Sequence, residues 1–183
     1  MPASPLAFNT EYKLTAQLSD GSSREAAFKT VNPTGSQANF QVLYLFDGVG
    51  VGMPAYVKFS NSIPEAYRAQ IEKNAFVTTE PVQEGSWGWL SDTELLWRPK
   101  EYWKPGTKVS IHYAWDGVQA SDSAFLRKNL DASFSVADTA RVIKVDIANH
   151  TTTVEENGEV VQTFPSTTGK EGFTTRSGTK LIL

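Results

Sequence analysis

The sequence contains no cysteine, and this absence excludes several kinds of chemistry at once. Without cysteine the chain has no disulfide, no thiolate ligand for a metal and no thiol nucleophile. Histidine is nearly as scarce, because His112 and His150 are the only two in the chain. Two imidazoles leave little material for a metal site built on histidine ligands.

Long apolar runs and a strong charge imbalance are missing as well. No segment approaches the ~18 apolar residues of a membrane span, and the start, Met1 to Ser4, lacks the basic and apolar parts of a signal peptide. The 17 basic and 20 acidic residues give a formal charge of -3, which predicts no nucleic-acid partner. Of the 183 residues 40% are hydrophobic, enough to bury a sizeable core.

What the sequence does contain is a series of short segments typical of β-strands. Glu11–Leu18 alternates apolar and polar residues and is followed, after turn residues at 19–23, by a second such segment, which predicts a hairpin. Further strands are predicted at 39–46, 54–60, 93–99, 107–115 and 130–136. This spacing predicts an all-β fold, an immunoglobulin-like β-sandwich.

One short helix interrupts the predicted strands, over Asn61–Asn74. Asn61 or Ser62 is the expected N-cap, and Pro64 stands at the start of the helix, where its fixed φ angle is favourable. The apolar positions recur at roughly helical spacing and form a narrow stripe, which suits a helix that lies on a sheet.

A weak internal repeat links the two ends of the strand series. Leu6–Ala16 matches Trp103–Tyr113, and Ala27–Thr30 resembles Ser133–Val136. Each copy reads as the last two strands of an immunoglobulin-like sandwich, with Tyr12 at the position of a tyrosine corner. The repeat therefore predicts two related units in one chain.

The two copies of the repeat differ in the number of residues that precede them. The second copy is preceded by enough residues for a whole sandwich, so we expect a complete Ig-like domain over residues 39–137. The first copy has little before it, and two strands alone are marginal in water. We therefore expect residues 1–31 to be the C-terminal strands of a truncated Ig-like domain. Unpaired strand edges of this kind allow a strand-exchanged dimer.

After Asp138 the pattern changes to a β-meander. A strand with Ile143, Val145 and Ile147 on one face is followed by a strand at 151–156, by Asn157-Gly158, and by a returning strand at 159–165. Asn-Gly is the strongest short-range hairpin signal. Residues 140–183 are thus expected to form an incomplete second β domain.

This stretch resembles the opening of a known catalytic domain. The strand, "NGEVV", "FPSTTGK" and "TRSGT" are similar, in that order, to the start of the L,D-transpeptidase (YkuD-type) catalytic domain. "EGSWGWLSDTELLWRPKEYWKPGTKV" resembles the Ig-like module that precedes this domain in one branch of the family. One departure is Arg176, which stands where the family's T-P-x-G motif has proline.

The resemblance implies a part of an enzyme that crosslinks peptidoglycan in the bacterial cell envelope, in the periplasm or cell wall. In the family a cysteine thiolate, activated by histidine, attacks a peptidoglycan stem peptide, and carbapenems acylate the same cysteine. The family's Ser-His-Gly-Cys segment has no match here, so the chain is expected to end before it. No catalytic, cofactor-binding or metal residue is assigned, no cofactor is expected, and any membrane anchor is expected outside this chain.

The tryptophans leave a second function open. Four of the five lie between Trp87 and Trp103, and exposed together they would form a platform for wall glycan or peptide. The chain would then be a non-catalytic cell-wall binding module using surface tryptophans. The structural interpretation, which we favour, is that these large aromatic residues pack in the core of the sandwich.

Other residue combinations also have a functional and a structural reading. A catalytic triad could be composed of Asp146, His150 and Ser166, but the order of residues along the chain does not show whether they lie close together. His150 is predicted to be an exposed residue in a turn. His112 reads as an outward residue of a strand. The glycines of Gly48–Gly52 lack the strand-turn-helix context of a phosphate-binding loop and predict a connection between strands.

Overall fold

The computed structural model describes residues 6–180, whose regular secondary structure is almost entirely β-strand, as the sequence predicts. Its helix, α1 (Glu65–Lys73), lies between the fifth and sixth strands. The expectations for residues 1–5 and 181–183 lie outside the described residues. The strands are β1 (Glu11–Gln17), β2 (Ser23–Lys29), β3 (Ser36–Ala38), β4 (Phe40–Leu43), β5 (Ala55–Phe59), β6 (Ala75–Glu80), β7 (Gly85–Ser91), β8 (Glu94–Pro99), β9 (Lys108–Tyr113), β10 (Gln119–Ser121), β11 (Ala124–Leu126), β12 (Leu130–Ser135), β13 (Arg141–Asp146), β14 (Thr151–Glu156) and β15 (Glu159–Pro165).

Two sheets enclose the main core and confirm the predicted sandwich. One has the strand order β4-β5-β8-β7 and the other β12-β9-β6, with antiparallel pairing in both. Strand β9 shows why these residues form strands, since its side chains alternate between exposed and buried along its whole length. Val57 and Leu95 from the first sheet and Val109 and Ile111 from the second are buried in one common core.

An aromatic cluster fills the end of the core nearest the helix. Trp115 is fully buried, and its ring centroid lies 4.7 Å from that of Phe40 and 4.6 Å from that of Tyr113. The indole N–H of Trp115 donates to the carbonyl of Ile71 at 2.9 Å, so the ring also anchors α1 to the sandwich. Rings of this size contribute much of the buried apolar area in a small domain.

The start of α1 differs from the expectation. The N-cap is Pro64, which makes no side-chain cap hydrogen bond, so the prediction of Asn61 or Ser62 as N-cap is wrong. The hydroxyl of Ser62 donates instead to Asp92 Oδ2 at 2.6 Å, which ties the segment before the helix to the turn between β7 and β8. A tertiary hydrogen bond has here replaced the local cap.

The Gly-rich segment between β4 and β5 is a connection, as predicted, and it also contributes to the core. Its apolar residues Val49, Val51 and Met53 are 1%, 3% and 4% exposed. Val49 forms a parallel bridge with Val136, and the carbonyl of Val51 accepts a hydrogen bond from the backbone of Trp103 at 2.9 Å. The segment therefore seals one edge of the sandwich.

The two copies of the repeat share backbone geometry as well as sequence. Asn9 and Gly106, which the repeat aligns, both have left-handed φ angles, of 52° and 72°. The N–H of Asn9 donates to the carbonyl of Val31 at 2.9 Å, and the N–H of Gly106 donates to Ala137 at 3.0 Å. Strands β1 and β2 pair as a separate two-stranded sheet, and β9 pairs with β12 in the corresponding register. The predicted repeat is thus a repeated hairpin.

Tyr12 closes the first copy in the manner of a tyrosine corner. Its hydroxyl accepts a hydrogen bond from the backbone N–H of Ala7, five residues upstream, at 2.9 Å. Its ring stacks on Phe28 of the paired strand, with centroids 5.8 Å apart. The sequence-based assignment of this position is therefore supported by its contacts.

The C-terminal strands form the predicted meander in the order β13-β14-β15. Asn157 and Gly158 have φ angles of 52° and 88°, which are the positive values that a two-residue hairpin turn requires. Asn157 also joins the turn to the start of the meander, because its side-chain oxygen accepts from Ala140 N at 2.9 Å and its N–H donates to the Ala140 carbonyl at 2.8 Å. Ala140 and Val142 pack against the core of the sandwich.

Candidate functional site

The tryptophans lie within the sandwich, which confirms the structural reading. Trp97 and Trp103 are buried and stack with centroids 5.4 Å apart, and the indole N–H of Trp103 donates to the carbonyl of Met53 at 2.5 Å. Phe134 packs edge-on against Trp103. Gly85 leaves the room that the Trp97 ring occupies, because a Cβ at this position would come within 2.5 Å of that ring.

Trp87 and Trp89, two residues apart on β7, face the same side and are half-buried. The indole N–H of Trp87 donates to the carbonyl of Ala75 at 3.1 Å, and that of Trp89 donates to Glu72 Oε1 at 2.7 Å. With Trp115 also buried, each of the five tryptophans is packed against the core or part of it. The bare aromatic face that a tryptophan platform needs is not formed.

Asp146, His150 and Ser166 do not assemble into a triad. The carboxylate of Asp146 accepts from the side-chain amide of Asn149 at 2.7 Å and from its backbone N–H at 3.0 Å, and these two bonds lower the pKa of Asp146. The hydroxyl of Ser166 accepts from Thr152 at 2.9 Å. His150 is exposed in a turn with a φ angle of 52°, so the prediction of a turn histidine is confirmed.

Lys170 precedes a two-residue turn at residues 171–172. Its backbone pairs with that of Phe173, and its ammonium group lies 5.1 Å from the centroid of the Phe173 ring. Phe173 itself is 71% exposed. Within residues 6–180 no group of three or more histidine, aspartate or glutamate side chains is arranged to hold a metal ion. The described residues also contain no helix long and apolar enough to cross a membrane.

His112 points outward from β9, as predicted, but it belongs to a groove that the sequence did not reveal. We call this the outer groove; it lies across strands β6, β9 and β12 on the face turned away from the core, and has a volume of about 360 Å³. Its lining residues are Phe76, Thr78, Ser110, Ile111, His112, Asp131, Ala132 and Ser133.

Strand register builds the outer groove from two rows of side chains. Phe76, His112 and Asp131 lie side by side on the three strands. The Phe76 and His112 rings stack with centroids 6.4 Å apart, and Nδ1 of His112 lies 2.6 Å from Asp131 Oδ1. The neighbouring row consists of hydroxyl-bearing residues, namely Thr78, Ser110 and Ser133.

Most of this groove is not predictable from the sequence, for a physical reason. His112 is predicted to point outward, and the alternation of β9 and β12 also places Ser110, Asp131 and Ser133 on the outward face. Only Asn74, the C-cap of α1, separates the helix from strand β6, and the predicted helix extends to Asn74, so the sequence predicts no strand at Phe76. Register across three strands joins residues 76, 112 and 131, and no local pattern encodes it.

Comparison with protein families gives a match that spans most of the chain. The family model for the bacterial Ig domain matches residues 1–119, which run from before β1 to the start of β10. Strands β4 to β9 of the sandwich all fall within this match. The matched residues make up more than half of the 183-residue chain.

Two curated relatives are L,D-transpeptidases of Mycobacterium tuberculosis. L,D-transpeptidase 2, from strain CDC 1551 / Oshkosh, is 32% identical over 184 residues, which cover 97% of this chain and 43% of the relative. L,D-transpeptidase 5, from strain H37Rv, is 30% identical, with 97% of this chain and 41% of the relative covered. The chain therefore spans less than half the length of these relatives.

The similar solved structures are also L,D-transpeptidases. An L,D-transpeptidase in complex with imipenem has a TM-score of 0.57 and 28% identity, with 80% of this chain and 59% of that chain covered. L,D-transpeptidase 1 of Mycobacterium tuberculosis has a TM-score of 0.51 and 27% identity, with coverage of 80% and 57%. The chain therefore belongs to the bacterial Ig domain family, and its relatives in sequence and in structure are L,D-transpeptidases.

Proposed function

We propose that this chain is the Ig-like spacer region, together with the first strands of the catalytic domain, of an L,D-transpeptidase that crosslinks peptidoglycan. In this proposal residues 1–31 close one Ig-like domain, residues 39–137 form a complete one, and residues 140–183 begin the catalytic domain. The observation that carries the proposal is the 32% identity to L,D-transpeptidase 2, which extends over 97% of this chain. The location is extracytoplasmic, and the partners of the whole enzyme are peptidoglycan stem peptides.

The way the meander joins the sandwich supports a positioning role. Only four residues separate Val136, the last residue bridged to the sandwich, from the first residue of β13. Ala140 and Val142 pack against the sandwich core, and Ala140 is held by two hydrogen bonds to Asn157. A short connection fixed by packing and hydrogen bonds gives a stiff joint, so the sandwich sets where the following domain points.

The chain is inactive in transpeptidation by itself in this proposal, because it has no cysteine to act as the nucleophile. The hydroxyl of Ser166 does not replace it, since its hydrogen bond comes from Thr152 and not from a histidine base. The sandwich would instead act by holding the catalytic domain at a fixed distance from the point where the enzyme is attached.

Mass spectrometry after incubation with a carbapenem tests the inactivity of the chain. We expect the intact mass of the chain to be unchanged, while a cysteine-containing L,D-transpeptidase treated in parallel gains the mass of the drug. A covalent adduct on this chain would overturn the proposal. Reading the encoding DNA beyond residue 183 tests the parentage, for which we expect a continuing frame that encodes Ser-His-Gly-Cys.

A further inference from the structure

The outer groove combines an exposed aromatic ring, a carboxylate and a row of hydroxyls on one face of a sheet. We propose that it is a binding site for a neutral sugar ring, with the C–H face of the sugar against Phe76 and the sugar hydroxyls on the groove's polar side chains. This inference goes beyond the positioning role, because it concerns a face of the sandwich whose lining includes no residue of the meander.

The row of hydroxyls creates the space and the hydrogen-bonding capacity. Thr78, Ser110 and Ser133 stand side by side on strands that are about 4.8 Å apart. Their short side chains form a depression between longer neighbours, and its volume of about 360 Å³ is at the lower end of the ~300–1,000 Å³ range of small-ligand sites. Each hydroxyl can donate and accept, which matches the hydroxyls of a sugar.

The row beside it supplies an apolar surface with a fixed orientation. Phe76 is 54% exposed, so a large part of its ring is free to contact a ligand. One side of the ring is supported by His112, whose own orientation is set by Asp131 at 2.6 Å. An aromatic ring held in this way next to polar groups can receive the apolar face of a sugar while its edges remain hydrogen-bonded.

The charges of the outer groove favour a neutral ligand over an anionic one. Asp131 is the carboxylate of the groove, and among the described residues that line it there is no lysine or arginine. A phosphate or an acidic peptide would meet this carboxylate without a strong cation to offset the repulsion. A sugar hydroxyl, in contrast, can donate to the Asp131 oxygen that does not contact His112.

Titration of the full chain with a tetrasaccharide of N-acetylglucosamine tests the proposal. The titration is followed by nuclear magnetic resonance of the backbone amides. We expect the sugar to shift the amide signals of residues 76–78, 110–112 and 131–133. We expect Phe76→Ala to weaken binding about tenfold. Ser110→Lys, which fills the floor of the groove, should abolish it. The matched control is Leu90→Ala, which removes another exposed apolar side chain, one that lies on β7 and is 69% exposed.

Each outcome decides the inference. The inference is supported if Phe76→Ala weakens binding, Ser110→Lys abolishes it, Leu90→Ala keeps it, and the thermal midpoints of all three variants are unchanged. The absence of any shift in the unaltered chain, shifts confined to other surfaces, or equal weakening by all three substitutions would overturn it. So would an acidic tetrapeptide that produces the same shifts as the sugar. None of these results bears on the carbapenem test, so the two proposals can fail separately.

Discussion

The two copies of the repeated hairpin have the same backbone and opposite surroundings. Leu14 on β1 is 60% exposed, whereas Ile111, its counterpart on β9, is 2% exposed. Phe28 on β2 is 45% exposed, and the corresponding Phe134 on β12 is 5% exposed. Both copies nevertheless form their strands, their turn and their closing hydrogen bonds. The same sequence pattern thus forms the same hairpin in both copies, while burial depends on what the rest of the chain places against it.

This difference separates two contributions to stability that are normally combined. Hydrogen bonds within the hairpin each contribute about 1 kcal/mol net, whereas burial of apolar side chains contributes roughly 25 cal/mol per Å² removed from water. The first copy has its ladder of hydrogen bonds but little of the burial, and the second copy has both. Substitutions at matched positions should therefore have very unequal effects.

The largest difference is expected between Trp103 and Leu6, which the repeat aligns. Trp103→Ala removes a ring that is 2% exposed and stacks on Trp97, so we expect a loss of about 3–5 kcal/mol in the free energy of unfolding. Leu6→Ala, at a position that is 39% exposed, should cost less than about 1 kcal/mol. Urea unfolding followed by circular dichroism measures both. Equal losses would show that the first copy also depends on burial.

A smaller but closely matched pair is Ile111→Ala and Leu14→Ala. Truncation of the buried Ile111 should cost about 2–5 kcal/mol, because it leaves a cavity between the sheets. The same truncation at Leu14 should change stability by no more than about 0.5 kcal/mol. Thermal midpoints of the two variants provide the comparison. A large effect at Leu14 would indicate that its side chain is covered in solution by another copy of the chain, and light scattering would then detect a dimer.

Alkaline pH should act on the second copy through Tyr113. Burial of this side chain raises the pKa of Tyr113 above its ordinary value of 10, because ionisation in the core is unfavourable. The stability linked to this shift is fully present below pH 10 and is lost as the pH rises above it, by about 1.4 kcal/mol per pH unit. Tyr113→Phe should reduce the decrease of stability between pH 10 and pH 11.5. An unchanged pH profile would contradict this assignment.

The smallest effect is expected at the tyrosine corner of the first copy. Tyr12→Phe removes the hydroxyl that accepts from the Ala7 N–H, and should cost about 0.5–1.5 kcal/mol. The local readout is hydrogen exchange, which should become faster at the Ala7 amide. Tyr102→Phe, at a side chain that is 52% exposed, serves as the control for loss of a surface hydroxyl. Unchanged exchange at Ala7 would show that the corner does not hold this segment in solution.

The sequence was most informative where structure is specified by near neighbours. The hairpin of β1 and β2, the Asn157-Gly158 turn and the alternation of β9 follow from turn residues and from the period of two. The prediction of the N-cap of α1 was wrong because the Ser62 side chain bonds to Asp92, 30 residues away, instead of capping the helix. Strand β6 is not predicted because a single residue, Asn74, separates it from the helix.

The burial of the tryptophans and the formation of the outer groove depend on how the strands pair and pack. From sequence, Trp87 and Trp89 could face either solvent or core, and contacts with Ala75 and Glu72 decided the matter. The outer groove unites residues that are up to 57 positions apart, from residue 76 to residue 133, which only the pairing of three strands brings together.

The sequence by itself determined the class of fold, the repeated hairpin and the absence of thiol chemistry, because residue type, period and turn signals are local properties. Only the tertiary structure decided which copy of the hairpin is buried and which outward side chains form a groove. Burial and register depend on how separate strands pair and pack, and the free energy that selects one arrangement comes from contacts between residues far apart in the chain.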